Sequence, residues 1–185
     1  MPRIVEGREV EVCPKDDFIL WHDPKVSTAV VVEVDGGVLL GRRAIEPGYG
    51  LWCLPGGFVN DDEDPAGAAL RECMEEISAT VELTGLIGVY HVAKTGAPSM
   101  VGIAYSARLV DGERPAAGLE MLELGVFPVD SMPPLAFSSH RAVVADYVRS
   151  RESPVAARPR PGAAAVRPGT RPSHTPAPQR PRRTP

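Results

Sequence analysis

The sequence predicts an α+β fold, an α/β/α sandwich built on a mixed β-sheet. Short β-branched segments lie on both sides of one amphipathic helical segment near the middle of the chain. A second amphipathic segment closes the foldable part. Of 185 residues, 43% are hydrophobic and 24% charged, ordinary values for a globular domain with a core of its own.

Residues 1–26 show no clear period and read as an N-terminal extension. Ser27–Val34 (STAVVVEV) is a strand by its β-branched content. Asp35-Gly36-Gly37 is a turn signal, and Val38–Arg43 returns as the second arm of a hairpin. Ala44–Gly50 is a loop, and Leu51–Val59 is a short strand broken by Pro55-Gly56-Gly57. Asp64 is placed to cap a helix with Pro65 in its first turn. That helix runs to about Ser78 and turns Ala66, Ala69, Leu70, Cys73, Met74 and Ile77 toward a core. Ala79–Val92, Met100–Val110 and Glu120–Asp130 read as further strands. Ser138–Arg151 reads as a Ser-capped helix with Ala142, Val143, Tyr147 and Val148 inward. The predicted organisation is thus an extension (1–26), a domain (27–151) and a Pro/Arg-rich disordered tail (152–185).

The net charge of −4 conceals a split. From Ser153 onward there are seven arginines, nine prolines, no lysine and no acid. The other thirteen of the twenty basic residues stand against all 24 acids, so residues 1–152 carry −11. An acidic body argues against nucleic-acid binding by the fold and suits collection of metal cations. Three scattered cysteines form neither a CxxC pair nor a disulfide framework. No apolar run has the length of a signal peptide or a membrane span, so a reducing cytoplasm is the expected setting.

Within the central helix, Glu72, Glu75 and Glu76 crowd three carboxylates into five positions. Like charges three or four apart repel by roughly 0.2–0.5 kcal/mol per pair. At about 100° per residue they share one edge of the helix, with Arg71 four residues before Glu75. A solvated face tolerates such crowding; a divalent cation turns it to use.

Gly57, Glu63, Arg71, Glu72, Glu75 and Glu76 match the signature G-x5-E-x7-R-E-U-x-E-E-x-G-U, where U is aliphatic. By these residues the chain resembles the Nudix hydrolases, with the box at 57–79. Ser78 stands in place of the box's last glycine, Ala79 in place of a larger aliphatic, and Cys73 at the earlier aliphatic position. Residues 22–150 look like the branch holding NADH pyrophosphatases and ADP-ribose pyrophosphatase-like proteins. Many of those relatives carry a CxxC zinc ribbon ahead of this point. Here only Cys13-Pro14-Lys15-Asp16 remains, so 1–26 reads as a remnant without a complete zinc site.

The resemblance implies Mg2+- or Mn2+-dependent cleavage of the pyrophosphate of a nucleoside diphosphate derivative. An ADP-ribose-like or NADH-like substrate is favoured; sugar nucleotides and nucleoside triphosphates stay open. It implies Glu72 and Glu76 as main metal ligands, Glu75 as a further ligand and the Gly57 carbonyl as an additional one. Arg71 would hold Glu75 and Glu63 in place, beside Gly56 of the turn. The base is either a box glutamate or Glu120 or Glu123 from a later loop, with Glu120 preferred. Arg42 and Arg43 are candidates for phosphate contact, and Trp52 and Tyr49 for stacking on a base. His91 and His140 read as structural or helix-start residues. A homodimer is common in the resembling branch. Two rivals differ in class: a Nudix module that senses a ligand without cutting it, and an interaction protein working through its basic tail.

Overall fold

The computed structural model describes residues 1–92 and 99–152. The tail from Ser153, expected to be disordered, lies outside the described residues, while Arg151 and Glu152 still belong to the closing helix. No helix among the described residues is long and apolar enough to cross a membrane.

The extension, unassigned from sequence, forms a three-stranded antiparallel sheet. Its strands are β1 (Pro2–Val5), β2 (Arg8–Val12) and β3 (Ile19–Leu20). Glu6 and Gly7 turn the first hairpin at φ 50° and 77°, and Val10 and Val12 are its buried residues. The Cys13–Phe18 turn is closed by Cys13 N–H donating to the Phe18 carbonyl and Phe18 N–H to the Asp16 carboxylate. β2 alternates, with Val10 and Val12 inward and Glu9 and Glu11 outward, but over too few residues to stand out in the sequence, and β1 and β3 are shorter still.

The main sheet contains β4 (Lys25–Val34), β5 (Gly37–Arg43), β6 (Trp52–Cys53), β7 (Val81–Val92), β8 (Met100–Leu109) and β9 (Met121–Phe127). Its order is β6-β5-β4-β8-β7, with β9 on β5. β4 and β8 run parallel and the other pairs antiparallel, so the sheet is mixed as expected. Ala29 and Val31 of β4 pack toward one face, and Val30 and Val32 toward the other. Burial on both faces explains why this strand is a continuous apolar run rather than an alternation.

Helix α1 (Pro65–Ile77) covers one face and α2 (Ser138–Glu152) the other. Asp64 caps α1 as expected, its carboxylate accepting the N–H groups of Ala66 and Gly67 at 2.9 and 3.0 Å. The expected inner face needs correction. Ala69, Cys73 and Ile77 are buried, but Leu70 and Met74 are 41% and 48% exposed, and Ala68 and Glu76 are buried instead. The helix is rolled so that Glu76 points under the glycine turn, which carries Leu70 and Met74 outward. In α2, Val143, Val144 and Tyr147 are buried, whereas Ala142 is exposed, because the helix meets the sheet one position further along.

Ser78 ends α1 in the left-handed conformation that the missing glycine would have supplied (φ 49°, ψ 38°), and its N–H donates to the Met74 carbonyl. The helix end is therefore kept at the cost of a strained side-chain-bearing residue. Ser78→Gly is expected to stabilise the protein by about 0.5–1 kcal/mol, read as a higher midpoint in urea unfolding with an unchanged slope.

Leu51–Val59, read as one broken strand, pairs as β6 only at Trp52–Cys53. Beyond it the chain runs along β4, with Val30 N–H donating to Pro55 O, Thr28 N–H to Gly57 O and Val59 N–H to Val26 O. Gly56 (φ 149°) lies so close to β4 that a Cβ there would run into the Thr28 carbonyl. This contact fixes the turn over the N-terminal half of β4.

Candidate active site

Arg71 is the centre of the acidic cluster. Its Nε and Nη2 donate to the two oxygens of Glu63 at 3.0 and 2.6 Å, a bidentate pair. Its Nη1 reaches Glu72 at 2.9 Å and Glu75 at 3.1 Å, and Nη2 also reaches the Phe58 carbonyl at 3.0 Å. Arg71 holds the Glu63 carboxyl down at about 2, assisted by the N–H of Asn60. One guanidinium thus fastens the acidic loop, the glycine turn and the helix edge together.

Glu76 is 4% exposed, and its Oε2 accepts the Gly56 N–H at 2.8 Å. Burial pushes its carboxyl up to about 8, with Glu72 and Glu120 adding to the rise. Burial also raises the Glu72 carboxyl, against the pull of Arg71. A Cβ on Gly57 would meet the Glu72 carboxylate, so any larger residue there would push this side chain from its place. Glu75 remains exposed at the rim.

Glu120 joins the cluster through the loop that follows β8. Ala116 N–H and Gly118 N–H donate to the carbonyls of Ile77 and Glu76 at the end of α1, and the Glu120 carbonyl accepts from Ala44. A Cβ on Gly118 would strike the Glu75 carbonyl, so the loop needs glycine to lie this close. Glu123, two residues into β9, is instead ion-paired with Arg42 at 2.9 Å.

All four of Glu72, Glu75, Glu76 and Glu120 line one cleft of about 670 Å3. Arg43 and Arg71 line it too, as do Gly56 and Gly57. Its far wall comes from β7, β8 and the start of α2, including Tyr90, Ile103, Phe137 and His140. Arg42 and Trp52 are placed elsewhere. Arg42 is held by Glu123 and by the Gly50 carbonyl, because alternation along β5 sends it to the opposite face from Arg43. Trp52 packs edge-on against Phe127 with ring centroids 4.7 Å apart. Tyr49 is exposed and outside the cleft lining. The far wall was illegible from sequence, since its residues stand as far as His140, 61 positions beyond the end of the box at residue 79, and share no spacing with it.

The donor set fits a hard divalent cation. It consists of carboxylate oxygens, one of them the buried Glu76 carboxyl, whose proton a cation would displace, and another that of Glu72, paired with Arg71. In the present arrangement the acids are gathered by a guanidinium, and among the described residues no three His, Cys, Asp or Glu side chains converge on a single ligation point. The Gly57 carbonyl already accepts the Thr28 N–H, which leaves it one lone pair.

Residues 23–147 match the model of the NUDIX domain. The chain is a Nudix hydrolase. It is 31% identical over 148 residues to the ADP-ribose pyrophosphatase of Methanocaldococcus jannaschii, covering 80% of this chain and 83% of that one. A crystal structure of a Nudix hydrolase from Nitrosomonas europaea superposes with a TM-score of 0.72 at 33% identity, over 82% of this chain and 86% of the other. An ADP-ribose pyrophosphatase from Streptococcus suis gives a TM-score of 0.56 at 25% identity, over 69% and 94%. The Nudix box is therefore the strand-turn-loop-helix unit described above, and pyrophosphate bonds are what this family hydrolyses. Its two departures are explained by packing. Ser78 takes up the left-handed turn, and Ala79 is fully buried beside Ile77 and Val81, a site filled by a small side chain.

Proposed function

We propose that this Nudix hydrolase uses Mg2+ or Mn2+ to cleave the pyrophosphate of an ADP-ribose-like substrate, with an NADH-like dinucleotide as the next choice. The observation that carries the reading is the shape of the cleft. Glu72, Glu75, Glu76 and Glu120 line it together with apolar side chains such as Val92, Met100, Ile103 and Phe137, in a volume of about 670 Å3 that is of the size small-ligand clefts have. The name of the Methanocaldococcus jannaschii relative supports ADP-ribose.

Glu72 and Glu76 would hold the cation, with Glu75 joining them and the Gly57 carbonyl offering its remaining lone pair. When bound, the cation supplies positive charge against the phosphate oxygens and polarises the attacking water. Arg71 keeps the carboxylates in register, and Glu63 in turn keeps Arg71 in place. Glu120 stands on the cleft wall without an ion-pair partner among the described residues, which suits a base that takes the water's proton. Arg43, also on the wall, meets the diphosphate. The three free cysteines suit a reducing cytoplasm.

Purified protein with ADP-ribose and Mg2+ is expected to release AMP and ribose 5-phosphate, resolved by ion-exchange chromatography, and EDTA is expected to cut the rate at least 100-fold. NADH would give AMP and NMNH. ADP-ribose that binds but is recovered intact would support the sensing module instead. Absence of AMP from every diphosphate offered would end the proposal.

A further inference from the structure

Arg43 is 8% exposed and has no carboxylate within 4.0 Å among the described residues. Its Nε donates to the Pro47 carbonyl at 2.8 Å, and its Nη1 makes only a weak contact to the Cys53 sulfur at 4.0 Å. Its guanidinium lies over the Phe137 ring, 5.0 Å from the centroid. Glu46, Glu76 and Glu120 line the same cleft, but none pairs with it. A buried cation without a counter-ion is costly, and the Arg43 side chain faces open cleft rather than packed core.

His140 stands against the other side of the problem. Its Nδ1 accepts the Leu54 N–H at 3.1 Å. That nitrogen is therefore unprotonated, and the ring proton must sit on Nε2. Nε2 has no acceptor among the described residues, and His140 is one of the residues that line the cleft. Its ring is edge-on to the same Phe137, with centroids 5.0 Å apart. Burial and the nearby Arg43 charge push its pKa down to about 4, so it stays a neutral donor at physiological pH. His140 belongs to the first turn of the 15-residue α2, and Arg43 lies over Phe137, the residue just before that helix, whose N-terminal dipole adds positive potential. Ser138 and Ser139 of that turn line the cleft as well.

We infer that Arg43, the Nε2–H of His140 and the first turn of α2 form an anion half-site that holds a phosphate group of the nucleotide without any metal. The inference rests on reading the cleft as a diphosphate site. The carboxylate wall needs a cation before it tolerates phosphate, whereas this wall does not. His140 has two jobs in this arrangement: Nδ1 ties α2 to the glycine turn that carries Glu76's partner, and Nε2 contacts the ligand.

The test is calorimetric titration of the full chain with ADP in EDTA. Wild-type protein is expected to bind, and Arg43→Gln to weaken binding at least 10-fold. His140→Asn separates the two jobs, since its Oδ1 can still accept the Leu54 N–H but nothing replaces Nε2–H. It is expected to melt with wild type and bind ADP about 3- to 10-fold more weakly. His140→Leu loses both jobs and is expected to melt earlier as well. No ADP binding by wild type in EDTA, or wild-type affinity in His140→Asn, would overturn the half-site. A protein that binds ADP in EDTA yet cleaves no diphosphate with Mg2+ would sink the proposed hydrolysis while leaving the half-site standing.

Discussion

Glu76→Gln is expected to abolish metal-dependent hydrolysis, by at least 10³-fold, while making the metal-free protein more stable at alkaline pH. The two effects have one origin. Glu76 is 4% exposed and keeps a single donor, the Gly56 N–H. Its carboxyl is raised to about 8, mainly by burial, from an ordinary 4.5. Between those two values the folded metal-free chain holds a proton that the unfolded chain has released. Its stability therefore falls as pH rises through the window from 4.5 to 8, by an amount on the order of a few kcal/mol. Glutamine keeps the acceptor for Gly56 and has no proton to lose, so this part of the slope disappears. Thermal melts in EDTA at pH 6 and pH 9 should show the variant gaining on wild type at the higher pH. Mn2+ should raise the wild-type midpoint and leave the variant's unmoved. Wild-type turnover in the variant would refute the ligand assignment, and an equal pH slope would refute the burial argument.

Arg71→Lys is expected to cost nearly as much as Arg71→Ala, about 2–4 kcal/mol of stability and at least 100-fold in turnover. Arginine serves Glu63, Glu72, Glu75 and the Phe58 carbonyl at once from a rigid planar fork. A lysine ammonium is a single point with three donors. It cannot hold Glu63 bidentately and still reach the helix edge. The acids left behind repel one another and the loop at Asn60–Asp64 loses its tether. Part of the loss in turnover should return at high Mn2+, since added cation can regather carboxylates that the guanidinium no longer aligns. A lysine variant with wild-type melting and wild-type half-saturation by Mn2+ would show that the fork geometry is unimportant.

The acidic half of the site was open to reading because it is local. Gly57, Glu63, Arg71, Glu72, Glu75 and Glu76 lie within 20 positions, and helix geometry alone places the last three on one edge. The Asp64 cap and the hairpin at Asp35-Gly36 are local too, and both appear as expected. Periodicity failed where two faces compete. A count of apolar positions turned Leu70 and Met74 inward, but the hydrogen bond from Gly56 draws Glu76 under the turn and rolls the helix. Arg42 and Arg43 could not be separated by composition; the pleat of β5 sends one to Glu123 and the other into the cleft.

By itself the sequence determined the order of strands and helices, the position of α1 and the gathering of carboxylates along it, because each follows from contacts a few residues apart along the chain. The tertiary structure alone decided which glutamate is buried, which arginine faces the cleft, and that Phe137 and His140 close it. Those outcomes depend on β4 pairing with β8 and on α2 crossing the opposite face of the sheet, and residues brought together across such distances leave no common spacing in the chain.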